Sequence, residues 1–132
     1  MSPPIVAPRL VPARRLTIHL TLADHFHEHG HTRHTPLGTE LLLRAHRAGM
    51  AGATTVHGVA GFGHSHKIHR QPVWGLVDRA PIIVMIVDTA ERIDAFIAAN
   101  RELFRECLAT VSDLKMVPRP GGIHHPRRGR HA

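Results

Sequence analysis

Glycines and histidines gathered in predicted loops are the residues of this 132-residue chain that could do chemistry. The densest glycine stretch follows a β-branched run, 54–56, and contains Gly58, Gly61 and Gly63. Glycine permits positive φ values and close backbone approach, so such a loop can present backbone N–H groups to a ligand. The GxxGxG spacing differs from the dinucleotide fingerprint GxGxxG, and no helical pattern follows at once, which argues against a Rossmann site. We therefore predict a mobile ligand-binding loop over about 60–72.

The predicted ligand contacts are residues in this loop or flanking it: His57, Gly58, Gly61, Phe62, Gly63 and His69. The two histidines flank the glycines, so each could reach a ligand bound there. For His57, a hydrogen bond that anchors the loop is the simpler alternative. Ligand binding is expected to order the loop, because a glycine-rich polar segment has much conformational entropy to lose.

Fourteen histidines exceed ordinary usage, and five of them lie within 23–35, which is predicted to be a loop. Neutral imidazole binds Zn, Cu and Ni, so an alternating histidine tract can bind such metals weakly. The tract lacks the cysteine pair or HExxH spacing of a dedicated zinc site. Three interpretations of these histidines therefore remain open. They are polar surface residues, they bind metal adventitiously, or they form a physiological metal site. The candidate metal ligands are His25, His27, His29 and His31.

No set of side chains with catalytic spacing is visible, so the sequence predicts a protein that is not an enzyme. Cys107 falls on an apolar helix face, where a small core residue is the simpler interpretation. Ser65 lacks a GxSxG context. Asp88 and Glu91 fit the start of a helix better than a pair of catalytic carboxylates.

Composition predicts one domain in the cytoplasm. A single cysteine excludes an intramolecular disulfide, and neither a signal peptide nor a long apolar run is present. The net charge of +7 comes from arginines within 1–15 and 118–132, while the centre is balanced. Basic termini bind nucleic acid without sequence preference, but solubilising tails are the simpler interpretation, so a nucleic-acid partner is not expected.

Hydrophobic periodicity predicts the order β-α-β-β-α-β for a domain spanning 14–117. A mobile proline-rich arm, 1–13, precedes it, and a disordered basic tail, 118–132, follows it. Strands are predicted near 15–22, 52–58, 81–87 and 110–117, and helices near 36–48 and 89–107, with a possible further strand start at Val73. Thr35 is the predicted N-cap of the first helix, Pro36 its first residue and Gly49 its end.

This order is typical of an α+β ferredoxin-like sandwich, with an antiparallel four-stranded sheet and both helices on one face. Strand 81–87 is apolar at every position, whereas the helices can cover only one face of the sheet. The uncovered face is therefore predicted to be a subunit interface.

Several motifs together resemble the domain-of-unknown-function family 190. They are Pro36-Leu37, Gly49-Met-Ala-Gly-Ala-Thr-Thr-Val56, Gly58-Val-Ala-Gly-Phe-Gly63, Ile68-His69 and Pro81-Ile-Ile-Val84. The resemblance covers about 14–117. That family is similar to the PII signalling superfamily, which includes the CutA proteins. The resemblance implies a homotrimer, a long mobile loop between the second and third strands, and small effectors, adenine nucleotides above all, bound between subunits. By their genomic setting, members of this family resemble accessory proteins of fluoride channels. This resemblance implies a membrane transporter or channel as partner.

The chain departs from the PII pattern before its last strand. The phosphate loop of PII proteins is rich in glycine and lysine, whereas 105–113 contains neither, which argues against triphosphate binding in the PII manner. The chain also has no tyrosine for covalent modification. We predict a PII-like regulatory protein that binds an adenine nucleotide and signals through loop 60–72. The alternative is a divalent-metal-binding protein of CutA-like role that uses Zn, Ni or Cu at its histidine loops.

Overall fold

The computed structural model describes residues 2–6, 8–28, 31–62, 69–70, 80–105 and 107–118, with the backbone alone for 27–28, 31–34 and 69–70. The predicted strand start at Val73, Gly63 and the basic tail from 119 onward lie outside these residues. Within the described part of the chain, neither helix is long and apolar enough to cross a membrane.

A four-stranded antiparallel sheet forms the centre of the fold. Its strands, in spatial order, are β4 (Gly52–His57), β7 (Pro81–Asp88), β1 (Val11–Thr21) and β8 (Leu108–Met116). Helices α1 (Leu37–Arg47) and α2 (Ala90–Ala99) follow β1 and β7 along the chain. This order confirms the predicted ferredoxin-like arrangement. Two short ribbons are added to it, β2 (His25–Glu28) with β3 (His31–Pro36), and β5 (Ala60–Gly61) with β6 (His69–Arg70).

The core lies between one face of the sheet and the helices. Ile82, Val84 and Ile86 of β7 are buried there, whereas Ile83 and Met85, which point to the opposite face, are only half-buried. Other buried core side chains come from β1, α1 and α2: Leu16, Ile18, Leu20, Leu41, Ile93 and Phe96. The alternation along β7 therefore leaves an apolar sheet face that the helices do not cover.

Strand β1 begins at Val11, four residues before the predicted start, and so takes in residues assigned from sequence to the proline-rich arm. Pro12 is tolerated because 11–13 pair with β8 on one side only. On the other side, β7 ends opposite Arg14. Arg14 donates to Asp113 and Asp94 at 2.8 and 2.6 Å. These hydrogen bonds, the one to Asp113 foremost, raise the pKa of Arg14 above its ordinary value. This arginine therefore belongs to the folded domain rather than to a basic arm.

Helix α1 begins one residue later than predicted and without the expected cap. Pro36 occupies the N-cap position and no side chain caps the helix, so the assignment of Thr35 as N-cap is wrong. Thr35 lies within β3, whose last residue pairs with His25. The predicted end is confirmed, because Gly49 adopts φ 68° and donates to His46 O while Met50 N donates to Ala45 O. This is a Schellman motif, which needs a left-handed residue after the helix.

The stretch 23–35, predicted to be a loop, contains the β2–β3 hairpin instead. Phe26 anchors it, buried in the core with its ring 4.8 Å from the Arg44 guanidinium carbon. Asp24 fixes the start of the hairpin. Its carboxylate accepts from Thr21 N at 2.8 Å, and its backbone carbonyl accepts from Leu37 N at 2.7 Å. Histidine and threonine dominate the hairpin, so apolar alternation gave no strand signal.

Helix α2 stops at Ala99, eight residues before its predicted end. Asn100 is buried, and its amide donates to Phe96 O at 2.7 Å. The Asn100 side chain thus bonds a backbone carbonyl that a continued helix would use. The helix ends there, and a 3₁₀ turn, Arg101–Phe104, follows. At its start, helix α2 is capped by Thr89, whose hydroxyl accepts from Arg92 N.

Candidate functional site

The predicted ligand loop leaves the sheet at the end of β4. His57, exposed, lies opposite Ile82 in the ladder, and Gly58 N donates to Pro81 O at 2.8 Å. A Cβ on Gly58 would lie only 3.0 Å from Pro81 Cγ, whereas one on Gly61 would meet Pro81 at an ordinary 3.5 Å. Close packing on Pro81 therefore explains the glycine at 58.

The next residues form a ribbon rather than the start of an open loop. Ala60 pairs with Arg70 and Gly61 with His69, so two of the predicted contact residues are brought opposite each other. The prediction of one continuous loop over 60–72 is therefore wrong at its base. Among the described glycines only Gly49 has positive φ, so Gly58 and Gly61 do not use the left-handed conformation that motivated their assignment.

Three apolar side chains are exposed where this ribbon leaves the sheet. Val56 is 38% exposed, Val59 79% and Phe62 65%. They stand within seven residues of one another along the chain, next to the exposed His57. Exposed apolar side chains at the end of one strand are a candidate for a binding site or a subunit interface.

The last strand begins at this same end of the sheet, and most of 105–113 lies within that strand rather than before it. His57 pairs with Ile82, and Leu108, the first residue of β8, pairs with His19 of β1 near the end of that strand. Strands β4 and β8 are the two edges of the sheet, three strand spacings or roughly 14 Å apart.

The residues set aside as non-catalytic have structural roles where the structure describes them. Asp88 is fully buried and accepts from Ala51 N and Arg92 Nε at 2.9 and 3.0 Å. Cys107 is half-buried, and its thiol donates to Leu103 O at 3.2 Å. Ser65 lies outside the described residues. Asp88 is more than a helix-start residue, because it also ties α2 to the turn before β4.

The histidine tract is described only in part. His25 Nδ1 lies 2.5 Å from Ala23 O, which occupies one of its ring nitrogens. The backbone register places Glu28 opposite His31 and His27 opposite Thr32, and His29 lies outside the described residues. In the described part of the chain, no three metal-ligating side chains come together. Weak metal binding by His25, His27, His29 and His31 stays a prediction.

Comparison with known proteins decides the family. Residues 13–116 match the sequence profile of DUF190, a family described as an uncharacterized ACR. The chain belongs to the DUF190 family. A UPF0166 protein of Aquifex aeolicus is 31% identical over 68 residues, which are 52% of this chain and 71% of the Aquifex protein.

Solved structures similar to this DUF190 chain are PII-like proteins. CPII from Thiomonas intermedia K12, a nitrogen regulatory PII-like protein bound to ADP, AMP and bicarbonate, matches with a TM-score of 0.60 and 24% identity over 84% of this chain and 93% of its own. A PII-like signaling protein from Thermus thermophilus matches with a TM-score of 0.59 and 18% identity over 82% of this chain and 92% of its own. The fold of this DUF190 chain is therefore PII-like.

Proposed function

We propose that this DUF190 protein is a PII-like regulator that binds an adenine nucleotide where β4 passes into the β5–β6 ribbon. The observation that carries the proposal is the exposed surface of Val59 and Phe62 beside a glycine turn held against Pro81. A similar fold, that of CPII, binds ADP and AMP. Such a regulator acts by binding, with no chemistry on its ligand.

The residues at this site suit the parts of a nucleotide. An adenine ring packs on exposed apolar and aromatic side chains, which Val59 and Phe62 supply. The exposed imidazole of His57 offers a hydrogen-bond donor to phosphate oxygens. Because 105–113 has no glycine or lysine, ADP or AMP is the favoured ligand rather than ATP.

The ligand sits, in this proposal, in a cleft between two subunits of a homotrimer. Separation of β4 and β8 at opposite edges of the sheet supports this arrangement, since within one chain the start of β8 lies three strand spacings, roughly 14 Å, from the end of β4. The apolar open face of the sheet, with Ile83 and Met85, provides the surface that the subunits bury.

Signalling follows from ordering of the loop that the β5–β6 ribbon closes. A bound nucleotide contacts Gly61 and His69, which face each other in the ribbon, and thereby fixes the 62–68 connection between them. An ordered loop is then a surface that a partner, a membrane transporter or channel, distinguishes from the free state. Part of the binding energy is used in ordering, so an affinity of order micromolar is expected.

Hydrogen exchange with a pair of variants tests this site. ADP should slow amide exchange over 57–62 in the wild type, and Phe62→Ala should weaken ADP binding roughly tenfold by removing a stacking surface. Val117→Ala is the matched control, because Val117 is 63% exposed and follows the far end of β8. Unchanged exchange at saturating ADP, or equal affinity of the two variants, would refute the proposed site.

A further inference from the structure

A groove of about 320 Å³ lies between α1 and α2, on the helix layer of the fold. Its lining contains Arg44, Arg47 and Arg92 but no acidic residue. Met50, Phe96 and three alanines make most of the remaining lining apolar, and Asn100 completes it. The groove therefore combines an apolar floor with a cationic rim.

Arg92 is held in a fixed orientation. Its Nε donates to the fully buried Asp88 at 3.0 Å and its Nη2 to Ala48 O at 2.6 Å. A guanidinium carries five N–H donors, so these contacts leave Nη1 without a partner among the described residues. One edge of the Arg92 guanidinium thus stays available while the other is fixed by the protein.

Arg44 is held in a similar way on the opposite helix. Its Nε donates to Glu40 at 2.9 Å, and its Nη1 donates to Asn100 at 2.7 Å and to Glu102 at 3.4 Å. The Phe26 ring supports the guanidinium from one side. Its Nη2 has no partner in the described part of the chain.

Arg47 completes the rim with an uncompensated charge. It is exposed and makes no hydrogen bond or ion pair to the described residues. Arg44 pairs with Glu40 and Glu102, and Arg92 pairs with Asp88, so among the described residues Arg47 is the guanidinium of the groove that has no carboxylate partner.

We propose that this groove binds a small carboxylate that carries an aliphatic body. A carboxylate accepts paired hydrogen bonds from guanidinium groups, and the aliphatic part covers Met50, Phe96 and the alanines. A bare phosphate would leave this apolar floor unused. Two of the three guanidinium groups are already immobilised by Asp88 and Asn100, which lowers the entropy cost of binding.

This site is separate from the proposed nucleotide site and does not depend on it. Asp88 ends β7 beside the groove, whereas Ile82, near the start of β7, lies beside His57. Six residues of extended strand separate them, about 20 Å. The groove also faces the helix layer, so it stays open if the opposite sheet face is buried between subunits.

Titration with octanoate, followed by NMR of labelled Met50 and Ala95 methyl groups, tests the proposal. The wild type should give saturable shifts with a dissociation constant in roughly the millimolar range, which suits a ligand of this size. Arg47→Gln should weaken binding about tenfold through loss of a charge-assisted hydrogen bond. Arg101→Gln, an exposed arginine outside the groove, should bind like the wild type.

Two ligand controls separate the parts of the proposal. Neutral octanamide should bind much more weakly than octanoate, and inorganic phosphate should not reproduce the methyl shifts. The proposal fails if the wild type shows no saturable shifts, or if Arg47→Gln binds as tightly as the wild type. It also fails if octanamide matches octanoate or phosphate alone gives the same shifts. ADP binding, measured in parallel, tests the nucleotide site separately, so failure of one proposal leaves the other standing.

Discussion

Asp88 connects three parts of the molecule through one buried carboxylate. It accepts from Ala51 N in the turn before β4, from Thr89 N at the start of α2, and from Arg92 Nε one turn later. Arg92 then extends the connection to Ala48 O, at the end of α1. The sequence indicated only the helix start, since Asp-Thr before an apolar-periodic run is a capping signal. The link to α1 depends on tertiary packing that local sequence does not encode.

Asp88→Asn should destabilise the fold by about 2–4 kcal/mol, because an amide replaces a buried, paired charge and presents only one acceptor oxygen. Urea unfolding would measure the change. Asp94→Asn is the matched control, since Asp94 is 61% exposed in its pair with Arg14 and should cost no more than about 1 kcal/mol. Equal losses for the two variants would contradict the role assigned to Asp88.

Gly38 shows what residue types alone could not reveal. A Cβ at this position would lie 2.6 Å from Ile82 Cδ1, so glycine lets the first turn of α1 pack closely on β7. No turn or repeat marks it in the sequence, because the constraint comes from a strand more than forty residues away. Gly58 shows the converse, since it packs closely on Pro81 but does not adopt the positive φ for which the sequence selected it, and Gly61 shows neither feature.

The helices and the sheet strands were predictable where apolar periodicity and end signals coincide. Strand β7 agrees with its predicted range to within a residue, and the end of α1 follows from Gly49. The β2–β3 hairpin was missed because its strands carry histidine and threonine rather than alternating apolar residues. The length of α2 was overestimated because the 3₁₀ turn after Asn100 continues a near-helical spacing of apolar residues.

Gly49→Ala should destabilise the protein by about 1–2 kcal/mol, since an L-residue with a Cβ is strained at φ 68°. Gly49→Asn should cost less, because asparagine tolerates the left-handed region better. Circular dichroism during urea denaturation gives both values. A Gly49→Ala variant as stable as the wild type would show that the Schellman geometry contributes little.

For the molecule as a whole, the sheet order followed from the sequence, but the candidate site did not. Alternation and capping define strands and helices, and the β-α-β-β-α-β order leaves few ways to pair them. The site depends on which loop residues pair across the β5–β6 ribbon and which surfaces remain open, and both are set by long-range contacts. The arginine groove likewise draws its residues from two helices far apart in sequence.

Assembly through the open sheet face predicts that the wild type has three times the 14.6 kDa mass of the chain. Ile83→Glu should give a folded monomer, because a charge buried between subunits costs several kcal/mol, whereas on an open face it is solvated. Thr39→Glu, exposed in the first turn of α1, should leave the trimer intact. Light scattering measures all three masses, and a monomeric wild type would rule out this assembly.

Calorimetric titration of the full-length wild-type protein with ADP is the most direct test of the proposed regulatory function. We predict one ADP bound per chain with a dissociation constant of order micromolar, and much weaker binding of GDP. At a hundredfold excess over that constant, ADP should stabilise the folded protein by about 2.7 kcal/mol. The absence of both binding heat and stabilisation at about millimolar ADP would contradict the assignment of this protein as an adenine-nucleotide-binding regulator.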